Sequence, residues 1–269
     1  GTLGMPGSFD SVLTVASAEN SHEICFQGNS ISWYNPRFDM RQFLSYTEYE
    51  DVPEGMGFRD RLVSQVLLFT DSLEEAQGKL VFVPFEGGNA DNLLFFTDRG
   101  QVYKAKACDF EDTKASVLGD FVPAKLGMDE GESAIAMAVT ADYQGYMLFC
   151  FENGKVAKVN LNAYETKTNR KKLLKAYSTK EKLTAALCLH EDGQILLTAS
   201  NGRLLLLPTA LLPAKATKDQ QGLQVMKLTK GSVVSAAEIY QPDTLEGEHR
   251  YLAKALPSRG EFLKDNLPG

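Results

Sequence analysis

Helical periodicity is the first thing this 269-residue sequence lacks. No stretch of about ten residues or more repeats its apolar positions at helical spacing, which points away from helix bundles and α/β folds. Cysteine is scarce: Cys25, Cys108, Cys150 and Cys188 lie far apart and form no CxxC pair, so neither a disulfide framework nor a cysteine-ligated metal is expected. Cys150 and Cys188 fall inside apolar runs and read as small core residues. The three histidines, His22, His190 and His249, stand alone without HxH or HxxxH spacing, and His190-Glu191-Asp192 reads as a turn. No GxGxxG or Walker sequence opens a helix, and no nucleophile–base pairing stands out. No apolar run approaches the length of about 18 residues that a transmembrane helix needs, and the first residues show no basic region followed by an apolar stretch, the mark of a signal peptide. The expectation is a chain without metal or cofactor, without a membrane anchor, in a reducing cytoplasm, and not itself an enzyme. Trp33 is the single tryptophan and reads as a core or hairpin-packing residue.

What the sequence does have is a recurring hairpin. Asp91–Phe110 reads DNLLFFTDRGQVYKAKACDF: an apolar strand, a turn at Asp98-Arg99-Gly100, then an alternating strand. Tyr146–Asn160 (YMLFCFENGKVAKVN) repeats the pattern around Asn153-Gly154, and Gln194–Pro208 (QILLTASNGRLLLLP) around Asn201-Gly202. A fainter copy is read at Arg250–Lys264, with Gly260 at its turn. The four turn glycines are spaced by 54, 48 and 58 residues. Other apolar segments fall between them: Ser11–Ala18, Met40–Tyr49, Leu62–Phe69, Leu80–Phe85, Ser133–Thr140, Leu183–His190, Leu223–Leu228 and Val233–Tyr240, while Phe121–Leu126 reads as short and extended.

A period near 50 residues with about four short strands per period is the signature of a propeller blade. The fold class expected is all-β, a β-propeller or β-pinwheel of about five, or six, four-stranded blades. Residues 1–7 read as a linker or remnant of a longer protein, and residues 8–269 as a single domain with units at about 8–60, 61–125, 133–180, 183–228 and 233–267.

The hairpin LLFFTDRGQVYKAKACDF resembles the one that recurs in the C-terminal domain of the A subunits of DNA gyrase and topoisomerase IV. The following pieces YMLFCFENGKVAKVNLNAYE, ILLTASNGRLLLLPTALLP and KDQQGLQVMKL match in order. The resemblance implies a β-pinwheel in which neighbouring blades exchange strands. It also implies a non-catalytic accessory domain that binds and bends duplex DNA along a basic outer rim, cytoplasmic and nucleoid-associated. The parent would be an ATP-dependent type IIA topoisomerase, whose other domains and ATPase partner chain complete the expected set of partners. One departure is plain. Gyrase carries a glycine-rich basic box, whereas the corresponding stretch here, Asp51-Val52-Pro53-Glu54-Gly55-Met56-Gly57, is acidic, so the box-poor topoisomerase IV type, or a diverged paralogue, fits better than gyrase-style wrapping.

Net charge is −7, which argues against general affinity for nucleic acid. The distribution is uneven: residues 1–90 carry 5 basic and 13 acidic side chains, residues 91–230 carry 19 and 16, and residues 231–269 carry 4 and 6. Lys155–Lys182 alone holds 9 basic residues against 2 acidic. Taken with the resemblance, Lys155, Lys158, Lys167, Arg170, Lys171, Lys172, Lys175, Arg203, Lys215 and Lys218 are the expected contacts to duplex phosphates. The alternative is a diverged propeller-like protein-interaction module with little DNA affinity, its lysine run a solvated loop.

Overall fold

A tight reversal between two strands needs a residue at positive φ, which glycine adopts without a Cβ penalty. In the computed structural model, which describes residues 22–27, 30–34, 83–111 and 120–263, Gly100, Gly154 and Gly202 take φ of 70°, 84° and 89°. Each closes a hairpin where the sequence expects one. The segments at 11–18, 40–49 and 62–69, the stretch at 51–57 and the Trp33 side chain lie outside the described residues.

The strands in chain order are β1 (His22–Gln27), β2 (Ser30–Tyr34), β3 (Val83–Gly87), β4 (Asn92–Thr97), β5 (Val102–Lys106), β6 (Asp120–Phe121), β7 (Ala134–Thr140), β8 (Tyr146–Phe151) and β9 (Lys155–Asn160). They continue with β10 (Lys172–Leu173), β11 (Leu183–Leu189), β12 (Gln194–Ala199), β13 (Arg203–Pro208), β14 (Ala214–Lys215), β15 (Leu223–Gln224), β16 (Val234–Ile239) and β17 (Glu261–Phe262). Among the described residues they form four sheets, in the orders β3-β1-β2-β6, β10-β5-β4-β7, β11-β8-β9-β14 with β15 also on β9, and β16-β12-β13-β17. The chain divides into two compact units, one of residues 1–94 and 104–141, the other of residues 95–103 and 142–269.

Every sheet follows one rule. A hairpin lies at its centre, a later strand flanks the first strand of that hairpin, and a short edge strand flanks the second. In three of the sheets this edge strand arrives only after the next hairpin has been made: β6 follows β4–β5, β10 follows β8–β9, and β14 and β15 follow β12–β13. The borrowed strand covers a row of N–H and C=O groups that would otherwise be an open edge. Beside the β4–β5 and β8–β9 hairpins the borrowed segment also crosses the hairpin tip. The Ala176 N–H donates to Gly100 O at 2.8 Å, and the Val225 and Met226 N–H groups donate to Gly154 O at 3.0 and 3.1 Å. A Cβ on Gly154 would stand 2.4 Å from Met226 O. Glycine is therefore required there twice, for its φ and for the approach of the crossing chain.

In the second unit the strands β8, β9 and β13 are buried on both faces. Met147, Leu148, Phe149, Cys150 and Phe151 of β8 are all buried, as are Val156, Ala157 and Val159 of β9. Each large apolar side chain so removed from water contributes about 1.5–3 kcal/mol. Phe96 meets Phe149 edge-on at 5.6 Å and Tyr164 at 5.2 Å, and Phe149 stacks on Tyr177 at 5.1 Å. A second cluster of Ile195, Leu197, Leu205, Leu207, Val225, Met226 and Val234 joins the next two sheets.

Two sequence expectations are corrected. Phe121–Leu126 is not extended: Val122–Leu126 forms a short helix with Pro123 in its first turn, ended by Gly127 at φ 65°. Arg250–Lys264 is not a hairpin of its own. Its polar backbone groups are taken by other segments: the Leu206 N–H donates to Tyr251 O, the Ala253 N–H to Leu206 O, the Lys227 N–H to Ser258 O and the Ser258 N–H to Val225 O. β17 then pairs with β13. Gly260 is needed because a Cβ there would lie 2.5 Å from Leu204 O.

Candidate nucleic-acid interface

The basic residues of the second unit fall mainly on or beside the borrowed edge strands. From β9 the chain makes a turn of 3-10 helix at Leu161–Tyr164, runs out to β10 on the edge of the β4–β5 hairpin, and returns to β11. Both ends of this excursion are pinned. The fully buried Tyr164 donates its hydroxyl to Ala176 O at 2.7 Å, and burial pushes its phenol pKa well up. The Tyr177 hydroxyl donates to Thr97 O at 2.5 Å, and Leu173 is buried against the hairpin. Between these pins Lys167, Arg170, Lys171 and Lys175 are exposed. Lys172 is half-buried, its ammonium 5.4 Å from the centre of the Tyr103 ring. No acidic residue occurs from Thr166 to Lys180.

On the next sheet β14 runs parallel to β9, with Lys215 opposite Val159, and β15 runs antiparallel to it, with Gln224 opposite Lys155. Lys215, Lys227 and Lys230 are exposed, and Lys155 and Lys218 are half-exposed. Arg203, at the start of β13, spends its guanidinium on β17: Nη1 donates to Gly260 O at 3.0 Å, and the group lies 4.3 Å from the centre of the Phe262 ring.

Lys158 is different from the others. Its side chain is 4% exposed and its Nζ donates to Asp192 Oδ1 at 2.7 Å, Thr209 O at 3.0 Å and Leu212 O at 3.4 Å. An ammonium has three protons to give, and all three acceptors come from the protein. The cation also lies 4.2 Å from the centre of the Tyr146 ring. Lys158 is therefore withdrawn from the expected phosphate contacts, because it is buried and saturated. A signal for this stands in the sequence. On a strand of period two, Lys158 shares a face with Val156, not with Lys155, and both faces of β9 are buried.

Sequence reasoning also missed the acceptor side of this cluster. Asp192 takes the Thr209 hydroxyl at 2.7 Å as well, so the turn after β11, the strand β9 and the segment after β13 are tied at one point. Among the described residues no three His, Cys, Asp or Glu side chains converge as metal ligands. No helix among them is long and apolar enough to cross a membrane.

Hairpin-centred sheets that borrow edge strands from further along the chain define a propeller-like β-pinwheel. More particularly, the chain resembles the C-terminal domain of the A subunits of DNA gyrase and topoisomerase IV. Residues 91–117 match the family described as DNA gyrase C-terminal domain, beta-propeller. The DNA gyrase A subunit of Mycolicibacterium smegmatis is 29% identical over 162 residues, covering 57% of this chain and 19% of that protein. The chloroplastic/mitochondrial DNA gyrase A subunit of Nicotiana benthamiana is 23% identical over 160 residues, covering 59% of this chain and 17% of that protein. The chain thus spans less than a fifth of these relatives. Its fold is shared with the C-terminal domain of DNA topoisomerase IV, at a TM-score of 0.59 and 16% identity over 84% of this chain and 62% of that one. It is shared also with the E. coli ParC C-terminal domain, at 0.55 and 12% over 91% and 95%.

Proposed function

We propose that the chain is a non-catalytic domain of the DNA-cleaving chain of a type IIA topoisomerase, and that it binds and bends duplex DNA. The contacts are made through phosphates along the basic edges of its second unit. The observation that carries this reading is the location of the charge: Lys167, Arg170, Lys171, Lys172 and Lys175 accompany β10, and Lys215 and Lys218 accompany β14. These are the strands that complete each sheet from outside. Lys155 flanks the same edge, and Arg203 contributes charge while holding β17. Lysines neutralising phosphates release counterions, and such contacts are tolerant of sequence. The partners are duplex DNA, the remaining domains of the parent chain and its ATPase subunit, in the cytoplasm at the nucleoid; the parent, not this domain, is the ATP-dependent enzyme.

The test is to measure binding to a duplex of about 40 base pairs over a series of salt concentrations, where phosphate contacts give a linear fall of log affinity with log salt. Absence of binding at low salt would overturn the reading. A diverged interaction module would then be favoured by the acidic residues 1–90 and the acidic stretch 51–57.

A further inference from the structure

The basic edges carry an apolar feature that phosphate binding does not use. Leu174, immediately after β10, is 62% exposed, and Leu223, on β15, is 44% exposed. Both lie close to a hairpin tip. Leu173 pairs with Val102, two residues beyond Gly100, and Leu223 pairs with Val156, two residues beyond Gly154. In register Leu223 therefore matches the buried Leu173, with Leu174 one position further along, and both exposed leucines lie on or beside an edge strand next to a hairpin tip. Leu174 is held out from a fixed base. Leu173 before it is buried, Lys175 after it takes φ 50°, and Ala176 is hydrogen-bonded to Gly100 O and to the Tyr164 hydroxyl. Around it are the exposed Arg170, Lys171 and Lys175, with no acid nearby in the sequence. Around Leu223 the chain carries Lys218 and Lys227 against the single acid Asp219. Phe121, comparably exposed in β6, differs in having Asp120 next to it.

We propose that Leu174 and Leu223 are apolar wedges that enter the grooves of the bound duplex and press between base steps, so that the cations supply affinity and the leucines supply the bend. A rigid apolar tip set among cations has the chemistry this requires. The cations draw the phosphates in, and an apolar side chain placed against a base step unstacks it at modest cost and kinks the helix. Cations around the tip are poorly suited to an apolar protein surface. The inference rests on the proposed DNA contact, and the two fail separately.

The experiment uses the whole chain and a duplex of about 40 base pairs with end-to-end fluorophores and single 2-aminopurine substitutions, comparing wild type with Leu174→Ala plus Leu223→Ala. Both side chains are exposed, so the variant keeps its melting temperature. The expected result is that wild type shortens the end-to-end distance and brightens 2-aminopurine at particular steps. The double variant should bind within about threefold of wild type with the same salt slope, yet lose both signals. Leu174→Phe in place of Leu174→Ala restores the 2-aminopurine signal. A variant that bends and unstacks as wild type does overturns the wedge and leaves DNA binding standing. Wild type that binds without brightening any step also overturns the wedge, and wild type that does not bind overturns both readings.

Discussion

Lys158 Nζ lies 2.7 Å from Asp192 Oδ1, a buried cation against a carboxylate that is 39% exposed. The asymmetry of burial sets the asymmetry of the mutants. Removing the carboxylate leaves a charged ammonium inside the protein with only two carbonyls, whereas removing the ammonium leaves a carboxylate that water can reach. Asp192→Ala is therefore expected to destabilise more than Lys158→Met, each by roughly 1–3 kcal/mol in urea unfolding. Lys158→Met should leave DNA affinity and salt slope unchanged.

The same pair gives a pH dependence. The Asp192 carboxyl is held below its usual range, first by the hydrogen bond from Lys158 and then by that from the Thr209 hydroxyl. A lowered folded pKa means that the contribution is complete above the ordinary carboxylate value of about 3.9 and is lost as pH falls through the folded value. Wild type should lose stability on acidification below that value more steeply than Asp192→Asn does. Parallel acid limbs in the two proteins would contradict the linkage.

The hairpin glycines separate strain from collision. Gly154 and Gly202 share positive φ, but a Cβ on Gly154 meets Met226 O at 2.4 Å, while one on Gly202 comes no closer than 3.9 Å to Phe262 Cδ1. Gly202→Ala should cost about 1–2 kcal/mol from backbone strain alone. Gly154→Ala should cost more and should loosen the segment at Val225–Met226, seen as faster amide exchange there. Equal costs would argue against the crossing as the reason for glycine.

Cysteine reactivity reads out the core. The Cys150 thiol is fully buried and burial pushes its pKa up to about 12, whereas Cys108 is exposed. The thiolate is the reactive form, so peptide mapping after brief alkylation at neutral pH should label Cys108 and spare Cys150 until the chain unfolds. Because the folded pKa is raised, the thiol's contribution to stability is intact below the unfolded value near 9 and lost as pH rises toward 12.

These outcomes also mark how far the sequence can be read. The hairpins are legible because they are local: Asn153-Gly154 and Asn201-Gly202 declare their turns, and the apolar runs at 134–140 and 183–189 declare the strands that flank them. The exchange of edge strands is legible only through resemblance, since two-residue strands such as β10 and β15 carry no pattern and are defined by a partner some 70 residues away. Arg250–Lys264 imitates a hairpin because Arg259-Gly260 imitates the turn pairs, although its hydrogen bonds go to Leu206, Val225 and β13. Composition groups Lys158 with Lys155, whereas strand parity sets the two on opposite faces.

The borrowed basic edges are proposed to hold duplex phosphates. The most direct measurement is the salt dependence of duplex binding for wild type, for Lys171→Glu plus Lys172→Glu, and for Lys158→Met. Each lost phosphate contact lowers the slope of log affinity against log salt by about one. The expected result is a steep slope for wild type, a weaker affinity with a slope reduced by about two for the double reversal, and no change for Lys158→Met. A double reversal that binds like wild type, or a Lys158→Met that loses slope as the double reversal is expected to, would rule out phosphate binding by these edges.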